Sequence, residues 1–229
     1  MPRAVEDRAQ ALAARLRAGP RALAPQARPG PGAAFWQFRE YRPGEAASGI
    51  DWRASARSIR PIVREREWEA PRHLAVWAEE GPDMAFSSVG ETKADAAAVI
   101  GRALQIAAGQ GSTHPEAGAD SAFLFIGAFW APTPDLPPAV HGFVLHLVDP
   151  AEADLPYAGP HVFEGHGCTA HIGDPDAARA AYKARVEAHC AALQAFAARR
   201  GWGYVLQRTD RDLLPGAAAA WEALGLVHF

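Results

Sequence analysis

Three carboxylates, Glu79, Glu80 and Asp83, fall within five residues directly after the apolar run HLAVWA. Short oxygen donors behind a strand can hold a hard cation such as Mg2+, provided enough of them converge. The same side chains also suit a solvated acidic loop, which is the simpler expectation here. A second group, His161, His166, Cys168 and His171, lies in HVFEGHGCTAH. Imidazole and thiolate suit zinc, but this spacing matches no established zinc pattern. The alternation of the segment predicts a β-hairpin with outward histidines. A third group is cationic: Arg39, Arg42, Arg53, Arg57, Arg60, Arg64 and Arg66 are interleaved with Glu40, Glu45, Asp51, Glu65 and Glu67. Bidentate Arg–carboxylate pairs can form a docking face or an internal ion-pair network, and the sequence leaves both open. Trp36, Trp52 and Trp68 could anchor an interface, though buried aromatics more commonly build core.

The remaining candidates read as structural. His141 and His146 are five residues apart and so face opposite sides of one strand. Cys190 falls on the apolar face of a helical segment and is expected to be a buried, inert thiol. Ser55 and Ser121 lack the Gly-x-Ser-x-Gly elbow of a hydrolase. Neither GxxxxGK[ST] nor GxGxxG occurs, so no intrinsic nucleotide site is expected.

The elements that position these groups are legible from periodicity. Val5, Ala9, Leu12, Ala13 and Leu16 share one face of a helix over residues 5–17, ended by Gly19-Pro20. A Pro/Gly/Ala-rich linker over 19–33 follows. Residues 35–41 and 62–68 alternate as strands, with a turn at Arg42-Pro43-Gly44-Glu45. Asp51 is placed to N-cap a helical turn over 52–57. HLAVWA reads as a buried strand. Ala96, Val99, Ile100, Ala103, Leu104 and Ala107 form the apolar stripe of a helix over 92–108. The apolar runs at 123–126 and 143–148 suit the middle of a parallel sheet. A long helix over 174–200 carries Tyr182, Val186, Cys190, Leu193 and Phe196–Ala197 on one face and ends at Gly201. A strand at 204–206 and a helix at 217–224 complete the chain. This alternation predicts a doubly wound, mostly parallel α/β sheet with helices on both faces, preceded by a β-hairpin. The divisions expected are 1–33 (helix and linker), 34–72 (Arg/Trp-rich hairpin) and 73–229 (α/β domain).

Composition bounds the function. The 229 residues, 49% of them hydrophobic, suffice for one α/β domain with appendages. A formal charge of −3 gives no footprint for nucleic acid or an anionic membrane. Two cysteines make no disulfide framework. With no apolar signal core and no apolar run long enough to span a bilayer, a cytoplasmic protein without membrane insertion is expected.

Three stretches stand out: Phe38-Arg39-Glu40-Tyr41-Arg42-Pro43-Gly44, then Ile50-Asp51-Trp52-Arg53-Ala54-Ser55-Ala56-Arg57, then Val63-Arg64-Glu65. They resemble a bacterial family of unknown biochemical function, domain-of-unknown-function family 58. Weaker matches follow at His146-Leu147-Val148-Asp149-Pro150, Leu155-Pro156-Tyr157 and Arg208-Thr209-Asp210-Arg211. The resemblance implies a von Willebrand factor A-like fold and, as partner, a MoxR-type AAA+ ATPase. It also implies a metal-ion-dependent adhesion site of pattern Asp-x-Ser-x-Ser. The corresponding positions here are Glu79, Gly81 and Asp83, and the place of a later Asp reads Gly127-Ala128-Phe129. So few oxygen donors make Mg2+ binding of the family type an unfavoured expectation, and no cofactor is expected. The segment Glu45-Ala46-Ala47-Ser48-Gly49 also departs from the family pattern of an Asp after the turn and basic residues before Ile-Asp-Trp.

The function expected is therefore a non-enzymatic protein-binding adaptor. Its binding residues would be Arg39, Arg42, Asp51, Trp52, Arg53, Arg57 and Arg64, with no metal expected at Glu79, Gly81, Asp83 or Ala128. The alternative is a divalent-metal protein or enzyme built on Glu79, Glu80 and Asp83. A subunit with a purely structural role in an oligomer is a third.

Overall fold

The architecture comes from a computed structural model that describes residues 2–18, 35–42, 50–66, 73–110, 121–130, 139, 141–165 and 168–226. In chain order the elements are α1 (Arg3–Ala18), β1 (Phe35–Glu40), α2 (Trp52–Ser55), β2 (Ile62–Arg66), β3 (His73–Ala78), α3 (Pro82–Ala85), α4 (Lys93–Ala107), β4 (Ser121–Gly127), β5 (His141–Val148), α5 (Pro150–Asp154), β6 (His161–Gly165), β7 (Cys168–Ile172), α6 (Pro175–Arg199), β8 (Gly203–Arg208) and α7 (Leu214–Ala223). The chain forms two compact units, one of Met1–Arg21 with Pro71–Phe229, the other of Ala22–Ala70.

The larger unit is built on a four-stranded parallel sheet of order β3-β4-β5-β8. The apolar runs of β4 and β5 are buried almost throughout, because both strands have neighbours on each side and cover on each face. On one face Leu74, Leu124 and Leu145 pack with apolar residues of α1, α4 and α7. On the other, Phe123, Phe125 and Val144 pack with Leu193, Phe196 and Ala197 of α6 and with Trp202. This is the doubly covered α/β sheet the alternation predicts. The Trp202 indole lies hard on β5, where a Cβ at Gly142 would come within 2.5 Å of it. Its Nε1–H donates to the Ala139 carbonyl at 3.2 Å.

HLAVWA differs from the expectation of a buried strand. β3 is an edge strand and most of it is half-buried or exposed. An apolar run reads alike whether one neighbour or two will flank it; the sheet order decides burial.

The stripe on α1 has its place in this unit. Val5, Ala9, Leu12, Ala13 and Leu16 are all buried, packed against α4. Ion pairs Glu6–Arg102 (3.0 Å) and Arg8–Glu91 (2.5 Å) join α1 to α4 and its approach, and the Arg17 guanidinium donates to the Ile106 carbonyl. α4 begins at a capping box, Thr92 with Asp95, and buries the predicted alanine, valine, isoleucine and leucine stripe. α6 ends at Gly201, whose φ of +69° suits glycine. β6 and β7 form the antiparallel hairpin expected at HVFEGHGCTAH, with His171 exposed and His161 half-buried. His166 lies outside the described residues.

In the smaller unit β1 and β2 pair antiparallel, with Phe38 opposite Arg64 and Glu40 opposite Ile62. The expected linker at 19–33 and the turn after Arg42 lie outside the described residues. No helix among the described residues is long and apolar enough to cross a membrane.

Candidate functional sites at the sheet rim and on the hairpin unit

Parallel strands put their exit loops on one rim, the usual place for ligands in α/β folds. Here β3 exits into Glu79, β4 into Ala128–Phe129 and β5 into Asp149. Two of the carboxylates at this rim, Glu79 and Asp149, are bound by protein N–H groups.

Glu79 Oε2 accepts the amide N–H groups of Ala128 (2.8 Å) and Phe129 (2.7 Å). Phe129 has φ +55°, a left-handed conformation unusual for a bulky residue. Two successive amides with the second residue in that conformation form an anion-binding concavity, and Glu79 fills it. Gly127 makes the approach possible: a Cβ there would sit 2.6 Å from Glu79 Oε2. The Phe129 ring is buried and stacks on Trp77. Glu79 is thus a half-buried, hydrogen-bonded strut, which corrects the expectation of a wholly solvated acidic loop. Glu80 is exposed, and Asp83 is half-buried in the first turn of α3.

Asp149 is fully buried. Its carboxylate accepts from the Ser88 amide (2.8 Å), the Ser88 hydroxyl (2.5 Å) and the Ala151 amide (2.8 Å). The amide of Asp149 donates to Glu152 Oε2 at 2.9 Å, completing a capping box on α5. Glu152 Oε1 receives Lys93 Nζ at 2.6 Å, and Lys93 is wholly buried. The Tyr182 hydroxyl donates to the Glu152 carbonyl at 2.6 Å. Burial first, and the nearby Glu152 carboxylate second, push Tyr182 up to about 12, so it stays a donor.

This network escaped sequence reading. Two signals were present: Asp149-x-x-Glu152 is a capping-box pattern, and Lys93 opens an alanine-rich helix in which it is the one lysine.

His146 occupies the α6 side of β5. It is fully buried, with Nδ1 3.0 Å from the Tyr204 hydroxyl and 3.9 Å from Cys190 Sγ; Nε2 has no partner among the described residues. His189 meets it edge-on at 5.4 Å, held by Trp130 stacking at 4.2 Å. Burial, with His189 and Lys93 adding to it, lowers His146 to about 3. The ring is neutral, and its Nδ1 shares a hydrogen bond with the Tyr204 hydroxyl. Cys190 is half-buried rather than fully buried as expected, because the α6 face turns partly outward there. Burial raises its thiol, which keeps it protonated.

A folded-state value below the ordinary 6.5 means that the unfolded chain binds the extra proton first. The His146 contribution is complete above pH 6.5 and is lost as pH falls toward 3, at about 1.4 kcal/mol per unit. Urea denaturation at pH 7.5 and 4.5 should show His146→Phe losing about 2–3 kcal/mol less than the wild type over that interval. Equal losses in the two proteins would contradict a neutral buried imidazole.

On the smaller unit, Asp51 N-caps α2 as predicted: its Oδ1 accepts from the Arg53 (3.1 Å) and Ala54 (2.9 Å) amides. The Ser55 hydroxyl donates to the Asp51 carbonyl (2.7 Å) and accepts the Ile62 amide (2.8 Å), pinning the turn to β2. The Asp51 amide donates to the Ile62 carbonyl at 2.9 Å. So fixed, the turn presents Trp52 with 66% of its surface exposed, against the expectation of core. Arg53 and Arg57 are exposed, and neither guanidinium has a partner among the described residues. Arg60 pairs with Glu40 at 2.8 Å, and Arg39 donates to the Glu40 carbonyl at 3.0 Å. Arg39 and Arg60 thus bond within the hairpin unit, whereas Arg53 and Arg57 have no partner among the described residues. Arg42 is exposed; the side chains of Trp36, Arg64, Arg66 and Trp68 lie outside the described residues.

The residues at the expected metal positions offer a poor fit to Mg2+. Gly81 and Ala128 bring no side-chain oxygen, Ala128 instead donates its amide to Glu79, and one Glu79 oxygen is committed to two N–H groups. An octahedral magnesium site needs more donors than the remaining carboxylate groups supply. Among the described residues no three His, Cys, Asp or Glu side chains converge as a metal site.

No curated protein and no solved structure matches the chain. A family model does: the one described as "Protein of unknown function DUF58" matches residues 37–116, from β1 through α4. The matched stretch contains the capped α2 turn, the edge strand and the Glu79 loop, and over it the chain is similar to that family.

Proposed function

We propose that this protein is a non-enzymatic adaptor that docks a protein partner on the α2 turn and works without a captured metal ion. The observation that carries this is Trp52: a large aromatic held at 66% exposure by the Asp51 cap and the Ser55 bridge, beside two arginines without partners among the described residues. Exposed Trp and Arg are the residue types that dominate interface energetics. The carboxylate arrangement at the rim supports the second half of the reading, since Glu79 and Asp149 both receive protein N–H groups.

For the partner, the resemblance to the family points to a MoxR-type AAA+ ATPase, and for the fold of the larger unit to a von Willebrand A-like domain with a degenerate adhesion site. Tagged full-length protein should retain the ATPase encoded beside it on co-elution, with or without nucleotide. Trp52→Ala should reduce the retained ATPase at least about tenfold, the size of a hot-spot truncation. Failure to form a complex in either nucleotide state would contradict the reading.

A further inference from the structure

Among the described side chains of the α2 turn, two arginines stand beside acids that are already engaged. Asp51 directs its carboxylate into the backbone of its own turn, accepting from Arg53 and Ala54 amides. Glu40 is taken by Arg60. The described acids nearest in sequence are thereby committed, whereas the exposed Arg53 and Arg57 guanidinium groups have no partner among the described residues. On either side of them the chain exposes Trp52, just before Arg53, and, two residues past Arg57, the whole side chain of Ile59. A fully exposed isoleucine and an exposed tryptophan flanking uncompensated arginines have a definite complement.

We propose that the α2 turn binds an acidic protein segment bearing an apolar side chain, with Arg53 and Arg57 taking its carboxylates and Trp52 and Ile59 its apolar group. This rests on the adaptor reading and names the chemistry of the partner. Guanidinium pairs carboxylates bidentately and so fixes register as well as adding affinity. Trp and Ile supply apolar area that excludes water around those pairs. A nucleic-acid strand fits less well: two free cations neutralise few phosphates, and Ile59 gains nothing against a charged backbone.

The test uses labelled synthetic peptides of about twelve residues and the full-length protein, read by fluorescence anisotropy. One peptide carries glutamates around a leucine and a tryptophan, one has Gln for every Glu, and one has Ser for both apolar residues. The acidic apolar peptide should bind at least about tenfold more tightly than either control, and weaken as salt rises. Arg53→Glu with Arg57→Glu should weaken it at least about tenfold, and Ile59→Ser several-fold, with unchanged melting temperatures, since these side chains are exposed. Equal affinity for the Glu and Gln peptides, no binding of any of the three, or preference for oligo-deoxythymidine would overturn the proposal. Co-elution of the ATPase that survives the double arginine change would also overturn it while leaving the adaptor reading intact. Peptide discrimination with no ATPase co-elution would support this partner chemistry and sink the ATPase assignment.

Discussion

Glu152→Gln should destabilise the protein by about 3–5 kcal/mol, the loss expected when one partner of a buried ion pair is removed. Lys93 is wholly buried and its ammonium lies 2.6 Å from Glu152 Oε1, a carboxylate whose side chain is 17% exposed. The substitution leaves an ammonium among Phe86 and the apolar residues of α4, with an amide in place of its counter-charge. Lys93→Met should cost less, because the Glu152 carboxylate it strands still reaches water and keeps the Asp149 amide. Combining the two changes should recover much of the loss, since no buried charge then lacks its partner. Denaturant midpoints for the four proteins, with unchanged m values, are the measurement. Additive losses would mean that the two side chains do not act as a pair.

Glu79→Ala should cost about 2–4 kcal/mol. It removes the acceptor of two amide groups, each of which costs about 1–3 kcal/mol when left without a partner in a buried place. It also releases Phe129 from whatever holds its left-handed backbone. Glu79→Gln keeps a carbonyl oxygen in the same position and should cost only about 1–2 kcal/mol, the difference between a charged and a neutral acceptor. This pair separates two roles for the residue. If Glu79 is a strut, millimolar Mg2+, Mn2+ or Ca2+ leaves the wild-type melting temperature flat. If it is a ligand, those ions raise the melting temperature by mass action and Glu79→Gln abolishes the rise.

Much of the fold is legible in the sequence because burial there is set locally. The α1 and α4 stripes fall on one helical face, and the residues named from period alone are all buried. β4 and β5 are continuous apolar runs, which a twice-covered parallel strand requires. The Asp51 cap is equally local, a carboxylate three residues from the amide it accepts.

What escapes the sequence depends on partners far along the chain. Asp149 reads as one more loop acid until Ser88, 61 residues away, wraps its carboxylate. Glu79 reads as part of an acidic cluster until β4 brings the Ala128 and Phe129 amides, about fifty residues on, to its oxygen. The edge position of β3 follows from sheet order, which an apolar run does not encode. Trp52 is the reverse case: tryptophan composition favours core, and only the Asp51 and Ser55 hydrogen bonds reveal a turn built to hold it outward.

The adaptor reading comes down to whether the α2 turn is a working surface. The direct measurement is quantitative co-elution of the protein with a MoxR-type AAA+ ATPase, the proposed partner, comparing the wild type with a Trp52→Ala, Arg53→Glu, Arg57→Glu triple variant. The account predicts stoichiometric capture by the wild type and a loss of at least about tenfold in the variant at unchanged melting temperature. Undiminished capture by the variant, or none by the wild type, would contradict it.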